Sequence, residues 1–166
     1  MNSSPVAILM GSDSDFPRLE PCIDTLKKFG ITPTVRVLSA HRTPAEACDF
    51  ATNARSNGYQ TIICAAGGAA HLAGVISAHT TLPVIGIPLD NPPLGGLDAL
   101  LATVQMPGGV PVATVGAGRG GPVNAALTAV RIIGVADANI AQKLDEFVIN
   151  QHDRVLEKDA GIQDKI

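Results

Sequence analysis

The sequence predicts an α/β fold: a three-layer, doubly wound, parallel five-stranded sheet with an extra C-terminal helix. Three observations carry this expectation. Five short apolar runs each end in turn residues rich in glycine, serine or proline. Segments with helical apolar spacing separate those runs, so strand and helix alternate along the chain. The 166 residues, 46% of them hydrophobic, suffice for one core, and residues 1–166 read as a single domain.

Val6–Met10 is the first strand, an unbroken apolar run suited to burial on both faces, and Gly11-Ser12-Asp13-Ser14-Asp15 ends it. Leu19, Ile23, Leu26 and Phe29 recur at helical spacing, with Gly30 as the stop. Pro21 predicts a late start or a kink in that helix. Thr34–Leu38 is the second strand. After it, Thr43, Pro44 and Glu46 read as N-cap, N1 and N3 of a capping box, opening a helix to about Asn57-Gly58. Thr61–Ala65 is the third strand, followed by a glycine-rich turn and a short helix to about Thr80. Pro83–Ile87 is the fourth, and the loop after it holds Asn91-Pro92-Pro93 and Gly95-Gly96. Leu97–Val104 is a short helix, Val110–Val115 the fifth strand, and Pro122 to Ile133 the helix behind it. Ile140, Leu144, Phe147, Val148 and Val155 mark an amphipathic last helix over about 137–158. That helix has no strand to cover; it can pack on its own sheet, and is expected rather to reach a neighbouring subunit. Strand order 2-1-3-4-5 is the commonest for five such strands, but the sequence leaves it open.

Composition narrows the function. Twelve basic and fifteen acidic residues give a net charge of -3, against the basic excess of a nucleic-acid binder. Aromatics are 3% and Trp is absent, so the interior is built from Ala, Val, Ile and Leu. Charged residues are only 16%, little for a lone monomer of this size, which points to buried subunit surface. Cys22, Cys48 and Cys64 form no CxxC pair and read as reduced thiols of a cytoplasmic protein. No apolar run approaches a membrane span, and Met1-Asn2-Ser3-Ser4-Pro5 lacks the order of a signal peptide.

In such a sheet, ligands bind beyond the carboxyl ends of the strands. Three polar loops fall there: Gly11–Asp15, Ser39–Pro44 and Ala66–Gly74. Ser12 and Ser14 sit where a strand gives way to a helix, a place that favours an anion. Arg42 adds a planar donor fork suited to phosphate and Ser39 a hydroxyl. Asp15 is matched to ribose hydroxyls. Turn chemistry alone also explains Ser12–Asp15. His41 can take and give a proton near neutrality, and a nearby Arg42 favours its basic form. His71 has the same capacity, or simply hydrogen-bonds across loops, while His79 and His152 read as surface. The two loop histidines lack the spacing of a zinc motif, and no G-x-S-x-G marks a nucleophilic serine. Gly116-Ala117-Gly118-Arg119-Gly120-Gly121 matches G-x-G-x-x-G, but in the last strand–helix unit rather than the first. Close helix–strand packing explains it better, with its amides expected to line the site.

Taken together, the loops Gly11–Asp15, Ser39–Pro44, Ala66–Leu72 and Val104-Gln105-Met106-Pro107-Gly108-Gly109-Val110-Pro111 resemble the PurE family, over nearly the whole chain as far as Asn124-Ala125-Ala126-Leu127. The Ser-Ala-His-Arg-Thr-Pro form is similar to class I, the 5-(carboxyamino)imidazole ribonucleotide mutases. The class II enzymes, which carboxylate aminoimidazole ribonucleotide with CO2, typically carry lysine and glycine there. The resemblance implies flavodoxin-like subunits in a homo-octamer, a place in purine biosynthesis, and no cofactor. It implies a small ribonucleotide as partner, alongside the expectation from the residues themselves of no metal, no nucleic acid and no membrane. Ser12, Ser14, Asp15, Ser39 and Arg42 would hold the ribose phosphate, with Asp15 on the ribose, and Ala40 would be a further substrate-binding residue. Gly67, Gly68, Ala69, His71 and Leu72 would wrap the imidazole, with His41 as proton carrier. The implied reaction is decarboxylation and recarboxylation through trapped CO2, with His71 a candidate relay. A class II-like carboxylase and a ligand-binding domain without catalysis are the alternatives. Three stretches depart from the family pattern: Ala73 where proline is usual, Leu89–Pro93 where serine is usual, and the glycine-richer Gly116–Gly121.

Overall fold

A computed structural model describes residues 4–163 and 165. The chain forms two compact units, one ending at Ala129 and the other beginning at Val130. The first unit holds the sheet, whose strands are β1 (Val6–Met10), β2 (Thr34–Val37), β3 (Thr61–Gly67), β4 (Val84–Leu89) and β5 (Ala113–Thr114). All pair in parallel, in the order β2-β1-β3-β4-β5. Helices lie on both sides, the flavodoxin-like arrangement.

Register explains why the apolar runs had to be strands. Val35, Ile8, Ile63, Ile85 and Ala113 are successive partners in one row across the sheet. Ile8, Ile63 and Ile85 are wholly buried, and each contributes roughly 1.5–3 kcal/mol by leaving water. Ala7, Leu9, Ile62 and Cys64 pack with α2 (Pro44–Asn53) and α3 (Leu72–Ala78). Ala47, Ala51 and Ala54, spaced four and three apart, give α2 a flat face that comes close to the sheet. Gly86 in β4 serves the same end: a Cβ there would stand 3.0 Å from Val112 Cγ1 and 3.4 Å from the Ala73 Cβ.

Several boundaries differ from the sequence reading. α1 (Phe16–Lys28) starts early, with Pro17 in its first turn and Pro21 inside it. Pro21 is tolerated because it is exposed and lacks only one bond near the helix start, while its carbonyl accepts from Thr25 Oγ1 at 2.7 Å. β5 is two residues rather than six. Its approach is spent on other bonds: Val110 N–H donates to the Pro107 carbonyl, Pro111 has no N–H, and the Pro111 carbonyl accepts from Ser77 Oγ at 2.6 Å. α4 (Leu97–Val104) coincides with its predicted range. The capping box at Thr43 does not form; its side chain turns back to Ser39 instead.

α5 (Gly120–Gly134) runs into the second unit, which also contains α6 (Ala138–Gln163). Asp137 caps α6, its Oδ1 accepting from the amides of Asn139 and Ile140 at 2.9 and 3.1 Å. Gly134 lets the two helices approach, since a Cβ there would lie 3.1 Å from Leu144 Cδ1. α6 extends five residues past the predicted end, because the charges from Asp153 to Asp159 mask its period without breaking it. Among the described residues, no helix is long and apolar enough to cross a membrane.

Candidate active site

The strand order brings the ends of β2, β1, β3 and β4 together along one edge. After β1, Ser12 sits in extended backbone and caps a single 3-10 turn, Asp13–Asp15. Its Oγ accepts from the Ser14 amide at 3.3 Å and from the Ser14 hydroxyl at 2.8 Å. Both hydroxyls therefore face the same opening. Asp15 closes the turn, its amide donating to the Ser12 carbonyl at 3.2 Å. Burial pushes the Asp15 carboxyl up from its ordinary value, against the pull of Arg18, the Ser12 backbone bond and Arg42.

After β2, the chain folds on Ser39. Its amide donates to Thr43 Oγ1 at 2.8 Å and its carbonyl accepts from the Thr43 amide at 2.9 Å. Its Oγ accepts from the amides of His41 and Arg42 at 3.3 and 3.2 Å. This explains the failed capping box: Thr43 is needed to close the loop that presents His41 and Arg42. Arg42 reaches across to donate to the Gly11 carbonyl at the end of β1.

After β3, Gly68 adopts φ +61°, a left-handed conformation that a side chain would strain. Tight turns follow, with Ala70 N–H donating to the Gly68 carbonyl at 2.8 Å and His71 N–H to the Ala69 carbonyl at 2.9 Å. His71 ends this turn and Leu72, buried in the core, anchors it. His71 Nδ1 lies 2.8 Å from His41 Nε2, with the rings edge to face at 85° and their centroids 4.9 Å apart. One nitrogen must carry the proton and the other the lone pair.

A cavity of about 370 Å³ opens among these loops. Of the residues named from the sequence, Ser12, Ser14, Asp15, Ser39, Ala40, His41, Arg42, Gly67, Ala69 and Leu72 line it. Gly68 and His71 do not: Gly68 shapes the turn and His71 reaches the cavity only through His41. Gly11 and Ala66, from two of the loops expected at this edge, also line it, and Asn91 is a lining residue the sequence reading did not name. Asn91 could have been found, because it stands two residues past the end of β4, and β4 pairs with β3 up to Leu89 and Gly67. Among the described residues, no cluster of three or more His, Cys, Asp or Glu could hold a metal.

The G-x-G-x-x-G stretch lies apart from this cavity. Gly118 and Arg119 line a separate depression of about 450 Å³ with Arg18, Pro88 and Asp90. A Cβ on Gly121 would collide with the Gly116 carbonyl, so the glycines serve the close turn into α5. They do not line the histidine cavity.

A family model for AIR carboxylase matches residues 5–154. The chain belongs to the AIR carboxylase (PurE) family. It is 48% identical over 152 residues to an N5-carboxyaminoimidazole ribonucleotide mutase of Bacillus subtilis, covering 92% of this chain and 94% of the relative. It is 47% identical over 153 residues to a phosphoribosylaminoimidazole carboxylase of Saccharomyces cerevisiae, covering 92% of this chain but 26% of that longer protein. The crystal structure of Treponema denticola PurE superposes with a TM-score of 0.85 at 29% identity, over 93% of this chain and 96% of that one. Ala73 is buried, and the segment after β4 contributes Asn91 to the cavity wall.

Proposed function

We propose that the chain is a 5-(carboxyamino)imidazole ribonucleotide mutase, moving a carboxylate from the exocyclic nitrogen to the adjacent ring carbon. The carrying observation is the His41–His71 pair, with His41 lining a cavity that Ser12, Ser14 and Arg42 also line. The relatives named as mutases support the same reading. The product is 5-amino-4-imidazolecarboxylate ribonucleotide, a step of purine biosynthesis.

The phosphate sits on the Ser12–Asp15 turn with Ser39 and Arg42, and Asp15 takes a ribose hydroxyl. His41, held by His71, gives its proton to the carbamate nitrogen. The nitrogen–carboxyl bond breaks, leaving the amine and CO2. The electron-rich ring carbon attacks that CO2. Neutral His41 then removes the proton from the same carbon, which restores the aromatic ring and the starting imidazolium. Atoms and charge balance without a cofactor. Ala66, Gly67 and Ala69 leave room for CO2 beside the ring, and confinement lets it react before it escapes.

The active form is a cytoplasmic homo-octamer, with 1–166 acting as one domain per subunit. Leu97, Leu101 and Val104 are exposed at spacings of four and three along α4, with Leu94 exposed in the loop just before it, a stripe suited to burial by another copy. α6 exposes Val148, Val155 and Ile162, supporting its docking on a neighbouring subunit.

A second reading, carboxylation of aminoimidazole ribonucleotide by free CO2, is favoured by the similarity to the yeast carboxylase. One assay separates the two. Purified chain is given the carbamate in one vessel and the amine with bicarbonate in another. Faster turnover of the carbamate supports the mutase; faster turnover of the amine with bicarbonate refutes it. Turnover of neither, with tight ribotide binding, leaves a binding domain. Light scattering of the same sample at an eight-chain mass supports the octamer, and a monomer mass rejects it.

A further inference from the structure

Asn91 lies just after β4 and lines the cavity, and contacts running from Asp90 through Arg18 to Gly67 place it. Arg18 Nη1 donates to Asn91 Oδ1 at 2.7 Å. Arg18 Nη2 pairs with the Asp90 carboxylate. The Asn91 amide lies over Gly67, where a Cβ would stand 2.9 Å from Asn91 Cγ and closer still to Nδ2.

These contacts settle which way the amide points. A guanidinium can only donate, so the atom facing Arg18 is the oxygen. The NH2 group is therefore turned towards Gly67 and the cavity that both residues line. Nδ2 has no protein acceptor among the described residues. Arg18 itself is occupied by Asp90 and Asn91 and is not a free cation aimed at the cavity.

We propose that Asn91 is a specificity-determining residue whose side-chain NH2, oriented by Arg18, donates to the carboxylate of the carboxylated aminoimidazole ribotides. The inference rests on the mutase reading of this cavity. The donor's chemistry suits the task. The carboxylate must be recognised and then released as CO2, and a full positive charge would stabilise the carboxylate against that release. A neutral amide recognises it at smaller cost to the barrier. The position suits it too: Gly67 leaves the space into which Nδ2 projects, so Gly67→Ala would push the amide away.

The test is calorimetric titration of the purified chain with aminoimidazole ribonucleotide and with its 4-carboxylate. Asn91→Ala is expected to weaken binding of the 4-carboxylate on the order of tenfold while changing the uncarboxylated ligand less than about twofold. Asn91→Asp, which sets like charges against each other, should weaken the 4-carboxylate further with the same selectivity. Arg18→Leu leaves Asn91 in place but frees its amide, and should give a smaller, equally selective loss. Melting temperature checks that each variant is folded. Equal weakening of both ligands in the Asn91 variants, as a merely structural role would give, or no weakening at all, overturns the inference while the mutase reading stands. A parent chain that binds neither ribotide overturns both.

Discussion

The hydrogen bond between His41 and His71 can be turned into a prediction about rates. If His41 is the proton carrier, His41→Asn removes general acid–base catalysis, which contributes about 10²- to 10⁴-fold. His71 acts through His41, so His71→Ala removes only the bond that aims the ring. That bond is 2.8 Å long and sits at an exposed rim, with both imidazoles open to water. A bond of this kind is worth about 1 kcal/mol net, or about fivefold, and the freed ring adds a further loss through poorer alignment. His71→Ala is thus expected to lower kcat about tenfold with KM little changed. Once His41 is gone, His71 has nothing to aim, so the double variant should be no slower than His41→Asn alone. The assay is carbamate-to-product conversion followed spectroscopically, with ribotide affinity measured alongside; His41→Asn should keep its affinity. Two results refute the reasoning: near-normal turnover by His41→Asn, or a double variant slower than His41→Asn by the full His71 factor. The second would mean that each histidine carries its own proton.

Three further outcomes are expected. Arg42→Ala should weaken ribotide binding by about ten- to a hundredfold through lost charge-assisted bonds, with little change for the dephosphorylated nucleoside; a phosphate-independent loss would argue against the anion site. Burial raises the folded carboxyl of Asp15 above its ordinary 3.8, so the unfolded chain ionises first as pH rises and stability falls across that interval. Asp15→Asn should therefore melt higher than the parent at pH 7, with the gap closing below about pH 4; a gap that persists in acid would contradict this cause. Burial pushes the Cys22 thiol up to about 12 and raises Cys64 as well, while Cys48 is half-buried. A thiol reagent should label Cys48 alone in the native chain and all three cysteines after denaturation; fast native labelling of Cys22 or Cys64 would contradict their burial.

The centre of the sheet was legible because β1, β3 and β4 are almost purely apolar and end in turn residues. Val6–Met10 runs into Gly11, and α4 is bounded by Gly96 and by Gln105. Less legible were the places where a residue answers to a distant partner. Thr43 has every local mark of a cap, yet its hydroxyl bonds Ser39 because the loop that carries His41 must close. Val110–Val112 have strand character, but Pro111 and Ser77 divert their bonds. Asn91 read as loop punctuation beside two prolines. Its role depends on Arg18, 73 residues earlier, and on a glycine across the sheet register. No local spacing contains those relations.

The site also shows why the histidines could sit 30 residues apart without a motif joining them. His41 follows β2 and His71 follows β3, and β1 lies between those strands. Neighbouring strands are about 4.8 Å apart, so the two loops start roughly 10 Å from each other. Opposed imidazoles bridge that gap over the end of β1, and Arg42 crosses part of the same gap to reach the Gly11 carbonyl. The small residues from Ala66 to Ala70 then keep the space beside the bridge empty. Strand order supplies the meeting point, and residue size supplies the room. A change that moves β2 relative to β1 should therefore separate the histidines and impair turnover, even if every residue lining the cavity is retained.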